Sequence, residues 1–178
     1  MHDRTRSEAR QPGRTRGTGT DLLGIYPNDH LAGAPAGAER ARHMVRSYGG
    51  TALAAAMGPV SGEITEDRAT LIDIMERLDI PVRHYKVYAG RMSERMGRLK
   101  SNGRLVHRSP LSPLLELEAL RLGVEGKTAV WQTLRELADR DDRLDPSLLD
   151  DLLERAGRQQ GVLEELRRRQ VGAALQEA

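Results

Sequence analysis

The sequence predicts an all-α protein, an antiparallel helical bundle of about five helical segments. Three observations support this fold class. Apolar residues recur at three- and four-residue spacing along most of the chain, strand-forming residues are sparse, and no stretch alternates apolar and polar residues as a half-buried strand does. The chain has no Phe and no Cys, so the core must be aliphatic, and disulfides and thiolate chemistry are excluded.

The chain divides into a tail and one domain. Residues 1–19 hold five Arg among small and polar residues, and we expect a disordered basic tail because they offer little apolar surface to bury. Residues 20–178 should form a single helical-bundle domain. No apolar run approaches the roughly 20 residues of a membrane span, and the N-terminus lacks the apolar segment of a secretory signal. We therefore expect a cytoplasmic protein that does not bind membranes.

The first two helices are predicted in the first half of the domain. The first runs from about residue 20 to 48, where a Gly-Gly pair ends it. Pro27 and Pro35 should kink it, and its central face of Gly and Ala would let a neighbouring helix approach closely. The second runs from about residue 51 to 79, and Pro59 is a candidate second start within it.

Three further helices are predicted from proline and capping signals. The third begins at Pro81 and fades near residue 101, and the fourth follows two Ser-Pro pairs and reaches about residue 138. Apolar residues cover most of the fourth helix, which indicates a central position in the bundle. The fifth begins at Asp145-Pro146, a favoured cap followed by a first-turn proline.

Three of these helices each carry one ionisable residue inside their apolar stripe. Successive helical side chains are about 100° apart, and this spacing places His30, Asp67 and Glu116 among apolar neighbours. Buried ionisable groups are costly unless they are paired or bound to metal, and bundles build metal sites from facing helices. With Glu63 one turn before Asp67, the predicted ligands of a divalent metal (Fe, Mn or Zn) are His30, Glu63, Asp67 and Glu116.

The same residues also admit a purely structural interpretation. A buried His often donates to a carboxylate without any further role. Asp67 could pair with Arg68 or with a neighbouring helix, and Glu116 lies in a first helical turn, where acids favour the helix dipole. The sequence leaves these alternatives open.

The order of these acidic segments resembles the ferritin-like superfamily. The resemblance is one of layout, covers about residues 20–140, and rests on DHLAGA (29–34) with Glu39, EITEDR (63–68), ELE (116–118) and EGK (125–127). It implies a bundle of long helices with a metal centre. Di-iron members carry Glu-x-x-His on two helices, and this chain has no Glu-x-x-His. The resemblance therefore implies the fold with an altered site or none.

A basic block lies in the middle of the chain. Residues 83–108 hold eight basic residues and one acidic residue. Such a block predicts binding of nucleic acid or an acidic partner, or else a solvated face that pairs with neighbouring acidic helices. The candidate contacts are Arg83, Lys86, Arg91, Arg95, Arg98 and Lys100.

Motifs that announce catalysis are missing from the sequence. There is no Walker loop, no dinucleotide fingerprint and no recognisable nucleophile motif, so no catalytic residue is predicted. The leading hypothesis is a non-enzymatic binding or structural protein that could form a homo-oligomer. The alternatives are a ferritin-like metal protein with a non-standard His/carboxylate site and an electrostatic nucleic-acid binder.

Overall fold

The computed structural model describes residues 18–83 and 111–175, and these residues contain helices and no strand. The all-α prediction is therefore confirmed. The helices of the described residues are α1 (Thr18–Ser47), α2 (Ala52–Arg77), α3 (Leu111–Ala138) and α4 (Pro146–Leu175). The predicted third helix lies outside the described residues except at its start, where residues 81–83 are not helical. Most of the predicted tail also lies outside them.

Local side chains explain where the helices begin. The Thr51 hydroxyl accepts the Ala54 N–H at 3.3 Å and caps α2. The Asp145 carboxylate accepts the Ser147 N–H at 2.9 Å and caps α4, as its sequence context predicts. Between α1 and α2 the chain turns through Gly50, whose φ of 80° lies in the left-handed region that favours glycine.

The prolines do not divide the helices. Pro27 and Pro35 both lie inside the single 30-residue helix α1, and Pro59 lies inside the 26-residue helix α2. Each proline removes one backbone hydrogen bond, but a helix of this length keeps its other bonds and is also held by the face that it buries. The expectation of a second start at Pro59 is wrong, since α2 is capped at Thr51 and continues through it.

Contacts between the helices define their order around the bundle. Helix α1 packs on α2 and α3, and α4 packs on the same two helices. Tyr26 near the start of α1 contacts Thr133 near the end of α3, while Arg40 contacts Glu116 near the start of α3. All neighbouring helices are antiparallel by the same reasoning. Helices α2 and α3 are therefore parallel and face each other across the bundle diagonal.

The core fills the space between the four helices with aliphatic side chains, methionines and one tryptophan. None of the described helices combines the length and apolar character that a membrane crossing requires. The largest of the fully buried apolar side chains are Trp131, Met44, Met57, Met75, Leu117 and Leu134.

Candidate functional site

Asp67 is buried where α2, α3 and α4 meet. The residue is 2% exposed, as its place on the apolar stripe predicts. Lys127 of α3 donates to carboxylate Oδ2, and Arg155 of α4 donates to Oδ1 at 3.1 Å. These charge-assisted hydrogen bonds replace the water that the carboxylate loses on burial. One charged layer thus joins three helices, including the diagonal pair.

Gln159 of α4 completes this layer and extends it to Glu63. Its amide nitrogen donates to Glu63 at 2.8 Å and to Asp67 at 3.2 Å, and its carbonyl oxygen accepts from Lys127. The two carboxylates and the one ammonium determine which way the amide points. Glu63 and Asp67 therefore share one layer, as their one-turn spacing predicts, and are joined through this amide.

The charges of this network do not balance. Arg155 also contacts Glu66 at 3.3 Å, so the three carboxylates of Glu63, Glu66 and Asp67 face the two cations of Lys127 and Arg155. The excess is one negative charge. Burial lowers the pKa of Lys127, while the neighbouring Asp67 and Glu63 carboxylates oppose that shift. We use the name charge network below for these five residues together with Gln159.

Glu116 belongs to a different cluster. Its side chain is 11% exposed and accepts hydrogen bonds from Arg40 at 2.9 Å and from the Tyr48 hydroxyl at 3.0 Å. Arg40 lies in the C-terminal part of α1 and Tyr48 lies in the turn that follows it, so the carboxylate anchors that end of α1 to the first turns of α3. An ion pair and a phenol donor account for a buried carboxylate at this position.

A Ser–His–Glu combination occurs beside Glu116 but lacks the geometry of a hydrolytic triad. The Nε2 atom of His43 lies 3.4 Å from the Ser47 hydroxyl and 3.8 Å from the Glu116 carboxylate. A triad uses one ring nitrogen for the nucleophile and the other for the carboxylate. Since both contacts here involve the same nitrogen, the arrangement does not activate Ser47.

His30 lies on the wall of a cavity and outside both clusters. Its ring packs edge-on against Tyr26, with 4.8 Å between the ring centroids. Burial lowers the pKa of His30, with the Asp29 carboxylate opposing the shift. The imidazole is therefore neutral at neutral pH.

The predicted metal ligands are not brought together. Within the described parts of the chain, no group of three or more His, Asp or Glu side chains is arranged to hold a metal ion. Asp67 and Glu63 bind side chains of α3 and α4, Glu116 binds side chains of α1 and the turn after it, and the His30 ring packs against Tyr26. Helical phasing indicated how deep each side chain lies, but it carried no information on which groups face it.

An apolar cavity of about 680 Å³ lies between α1, α2 and α3. Lys127 and Asp67 form part of its wall, and Asp29 and Arg40 mark its extent along α1. Those two positions are eleven residues apart, or about 16 Å along a helix. The apolar wall includes Ile64, Leu71, Leu120, Val124, Val130 and Trp131.

Small residues on two facing helices keep this space open. Gly33 and Gly37 of α1 face the cavity from one side, and Gly123 and Gly126 of α3 face it from the other. A methyl group built at Gly33, Gly37 or Gly123 would meet no atom within 4 Å. Glycine is therefore not required at these three positions by steric crowding, and the cavity begins directly at the backbone.

Three polar members of the site were missed by the sequence reasoning. Gln159 lies between Ala156 and Leu163 on the buried stripe of α4, and Lys127 lies between Val124 and Trp131 on that of α3. Both follow the three- and four-residue spacing that identified Asp67, so the same rule would have found them. Arg155 carries no such signal, because it lies at the edge of its stripe.

Little of the predicted basic surface falls in the described residues. Arg83 is exposed, and its backbone N–H donates to the buried Asn28 side chain at 2.8 Å. Five candidates lie outside the described residues: Lys86, Arg91, Arg95, Arg98 and Lys100. Their proposed role in binding nucleic acid or an acidic partner stays a prediction.

Comparison with known proteins identifies no match to this chain. No protein-family model matches the chain, and no curated protein or solved structure is significantly similar to it.

Proposed function

We propose that this chain is a non-enzymatic binding protein that holds a small apolar molecule in the cavity between α1, α2 and α3. The observation that carries the proposal is the cavity itself, at about 680 Å³. Protein interiors contain few voids larger than a water molecule, whereas pockets for small ligands measure about 300–1,000 Å³. The volume of this cavity is therefore that of a pocket for a small ligand.

The wall chemistry supports an apolar and elongated ligand. Aliphatic side chains and glycine backbone form most of the wall, and three of the charged groups beside it, Arg40, Asp67 and Lys127, are engaged in ion pairs. Burial of an apolar molecule contributes about 25 cal/mol for each Å² removed from water. A length of about 16 Å along α1 suits an extended aliphatic chain better than a compact polar metabolite.

The glycines that line the cavity are a second argument that the cavity binds a ligand. A glycine within a helix destabilises it by about 0.5–1 kcal/mol relative to alanine, and alanine fits at Gly33, Gly37 and Gly123. Glycine alone does not mark a site, because Gly157 and Gly161 occur on α4 away from the cavity. The argument is their convergence from two facing helices onto one volume.

We infer also that the layout is that of a ferritin-like bundle without its metal centre. The support is topological: α2 and α3 are parallel across the diagonal and lie on either side of one long connection, as in bundles with a single long crossover. The acids that the resemblance points to are engaged by Lys127, Arg155 and Arg40. A cavity for an organic ligand would then take the place of a metal site.

Trp131 allows a direct test of ligand binding. It is the single tryptophan of the chain, it is fully buried, and it lies on the cavity wall. Titration with n-octane should change its fluorescence emission in a saturable manner and raise the melting temperature. A ligand at 100 times its Kd stabilises the folded state by about 2.7 kcal/mol.

A filled cavity provides the control. Gly37→Leu should abolish the octane response because its side chain occupies the open volume, whereas Gly157→Leu on α4 should preserve it, since that position lies away from the cavity. Equal responses in the two variants, or no response in the native protein, would contradict the proposed function.

A further inference from the structure

We propose that the molecule bound in this cavity is neutral and carries a carbonyl or hydroxyl oxygen, which accepts a hydrogen bond from Lys127. This inference rests on the proposed function and specifies its ligand class. Three observations lead to it: the number of donors on Lys127, the charge of its surroundings and the position of the other charged groups on the wall.

Lys127 has one donor more than it uses. A lysine ammonium carries three N–H donors, and among the described residues it donates to two acceptors, Asp67 and Gln159. Its side chain is 16% exposed and forms part of the cavity wall. An oxygen atom of a ligand in the cavity can therefore accept the third N–H, and a hydrogen bond to a charged donor is among the stronger kinds.

The charge network selects a neutral acceptor over an anion. Glu63, Glu66 and Asp67 already exceed the two cations by one charge. An incoming carboxylate would add a further negative charge beside the buried Asp67 carboxylate, and a ligand cation would meet the Lys127 ammonium. A ketone, ester or alcohol oxygen accepts the hydrogen bond without either penalty.

The other charged groups and the histidine of the wall do not offer an equivalent charged donor, and the indole N–H of Trp131, which has no partner among the described residues, is a neutral donor. Arg40 lies at the other end of the cavity and is paired with Glu116 at 2.9 Å. Asp29 and Arg68 are exposed to solvent at the rim. His30 is neutral, and its ring packs on Tyr26. Lys127 is thus the charged donor that faces the apolar volume from inside the bundle.

A matched set of eight-carbon probes separates these classes. The Kd values of n-octane, 2-octanone, octanoate and octylammonium are measured by Trp131 fluorescence for the native protein and for the double variant Asp67→Asn/Lys127→Met. The double variant removes one charge of each sign and so avoids an unpaired buried carboxylate. We expect the affinity of 2-octanone relative to octane to fall about ten-fold in the variant, as the loss of a hydrogen bond to a charged donor predicts.

Each outcome bears on a different part of the proposal. If the ratio of the 2-octanone affinity to the octane affinity is the same in the variant as in the native protein, the role of Lys127 is overturned. Octane binding would in that case still support the cavity as a ligand site. Tighter binding of octanoate than of 2-octanone to the native protein would overturn the neutral ligand class. If octane and 2-octanone both fail to bind the native protein, the proposed function fails, and this inference fails with it. A cooperative urea unfolding transition, followed by Trp131 fluorescence, shows independently of binding that the double variant is folded.

Discussion

Asp67 illustrates how a charge is accommodated inside an apolar bundle. The carboxylate is 2% exposed, yet it receives donors from Lys127, Arg155 and Gln159, which together approach both of its oxygens. Desolvation makes a buried ion pair a weak source of net stability, but removal of one partner leaves an uncompensated charge. We therefore expect Asp67 to hold the helices in register more than it adds to stability.

The first prediction follows from this asymmetry. Asp67→Ala should lower the free energy of unfolding by about 3–5 kcal/mol, because it leaves the Lys127 ammonium buried without its counter-ion. Asp67→Asn/Lys127→Met should cost clearly less, since no charge is left unpaired. Urea unfolding followed by Trp131 fluorescence measures both.

Glu66→Ala is the matched control for this prediction. Glu66 contacts the same Arg155, but its side chain is 69% exposed, and an exposed ion pair contributes at most about 1 kcal/mol. Equal destabilisation by Glu66→Ala and Asp67→Ala would show that burial of the carboxylate is not what matters.

A second residue-scale prediction concerns pH. Burial lowers the pKa of His30 below 6.5 in the folded protein, so on acidification the unfolded chain takes up the proton first. The free energy of unfolding should therefore be highest above pH 6.5 and fall as the pH drops from 6.5 to the lowered pKa. His30→Gln should remove this part of the pH dependence. Urea unfolding at several pH values between 5 and 8 tests it, and parallel curves for the two proteins would contradict it.

At the scale of the helix, the ends of the helices were predictable from the sequence, but the continuity of α2 through its proline was not. Thr51 and Asp145 act as caps because their side-chain oxygens accept the free N–H groups of the first turn, which is a local property of the sequence. Pro59 has an equally local signal for a helix start, but the 26-residue helix α2 runs through it, as α1 runs through Pro27 and Pro35. Packing of a long helix outweighs the loss of one hydrogen bond at each proline.

Two Gly→Ala substitutions should have opposite effects on the free energy of unfolding, because the two glycines differ in backbone conformation. Gly37→Ala should raise the free energy of unfolding by about 0.5–1 kcal/mol, because the residue is helical and a methyl group there meets no atom within 4 Å. Gly50→Ala should lower it by about 1–2 kcal/mol, because a φ of 80° is unfavourable for alanine. Urea unfolding of the two variants checks the signs, and a shared sign would contradict this account of the turn or of the cavity.

At the scale of the whole molecule, the sequence also predicts a surface that the described residues barely include. If residues 83–108 bind nucleic acid, affinity for duplex DNA should fall steeply between 50 and 200 mM salt and collapse when Arg91, Arg95 and Arg98 are all changed to Glu. Fluorescence anisotropy with a labelled duplex measures this.

A control variant with the same change of net charge completes that experiment. Arg140, Arg158 and Arg169 are exposed and lie outside the basic block, so their reversal to Glu should weaken binding far less. If both triple variants bind duplex DNA like the native protein, binding through Arg91, Arg95 and Arg98 is excluded, and if the native protein does not bind duplex DNA, the nucleic-acid alternative is contradicted.

The sequence by itself determined the all-α class, the start of α2 near residue 51, the cap at Asp145, and the depth of Asp67 within its helix. These follow from the chain because turn chemistry and the 3.6-residue period act within one segment. The tertiary structure alone decided that Asp67 meets Lys127, Arg155 and Gln159, and that small residues of α1 and α3 enclose a cavity. Periodicity specifies the direction of a side chain around its own helix axis, but the height and rotation at which two helices pack depend on every contact between them.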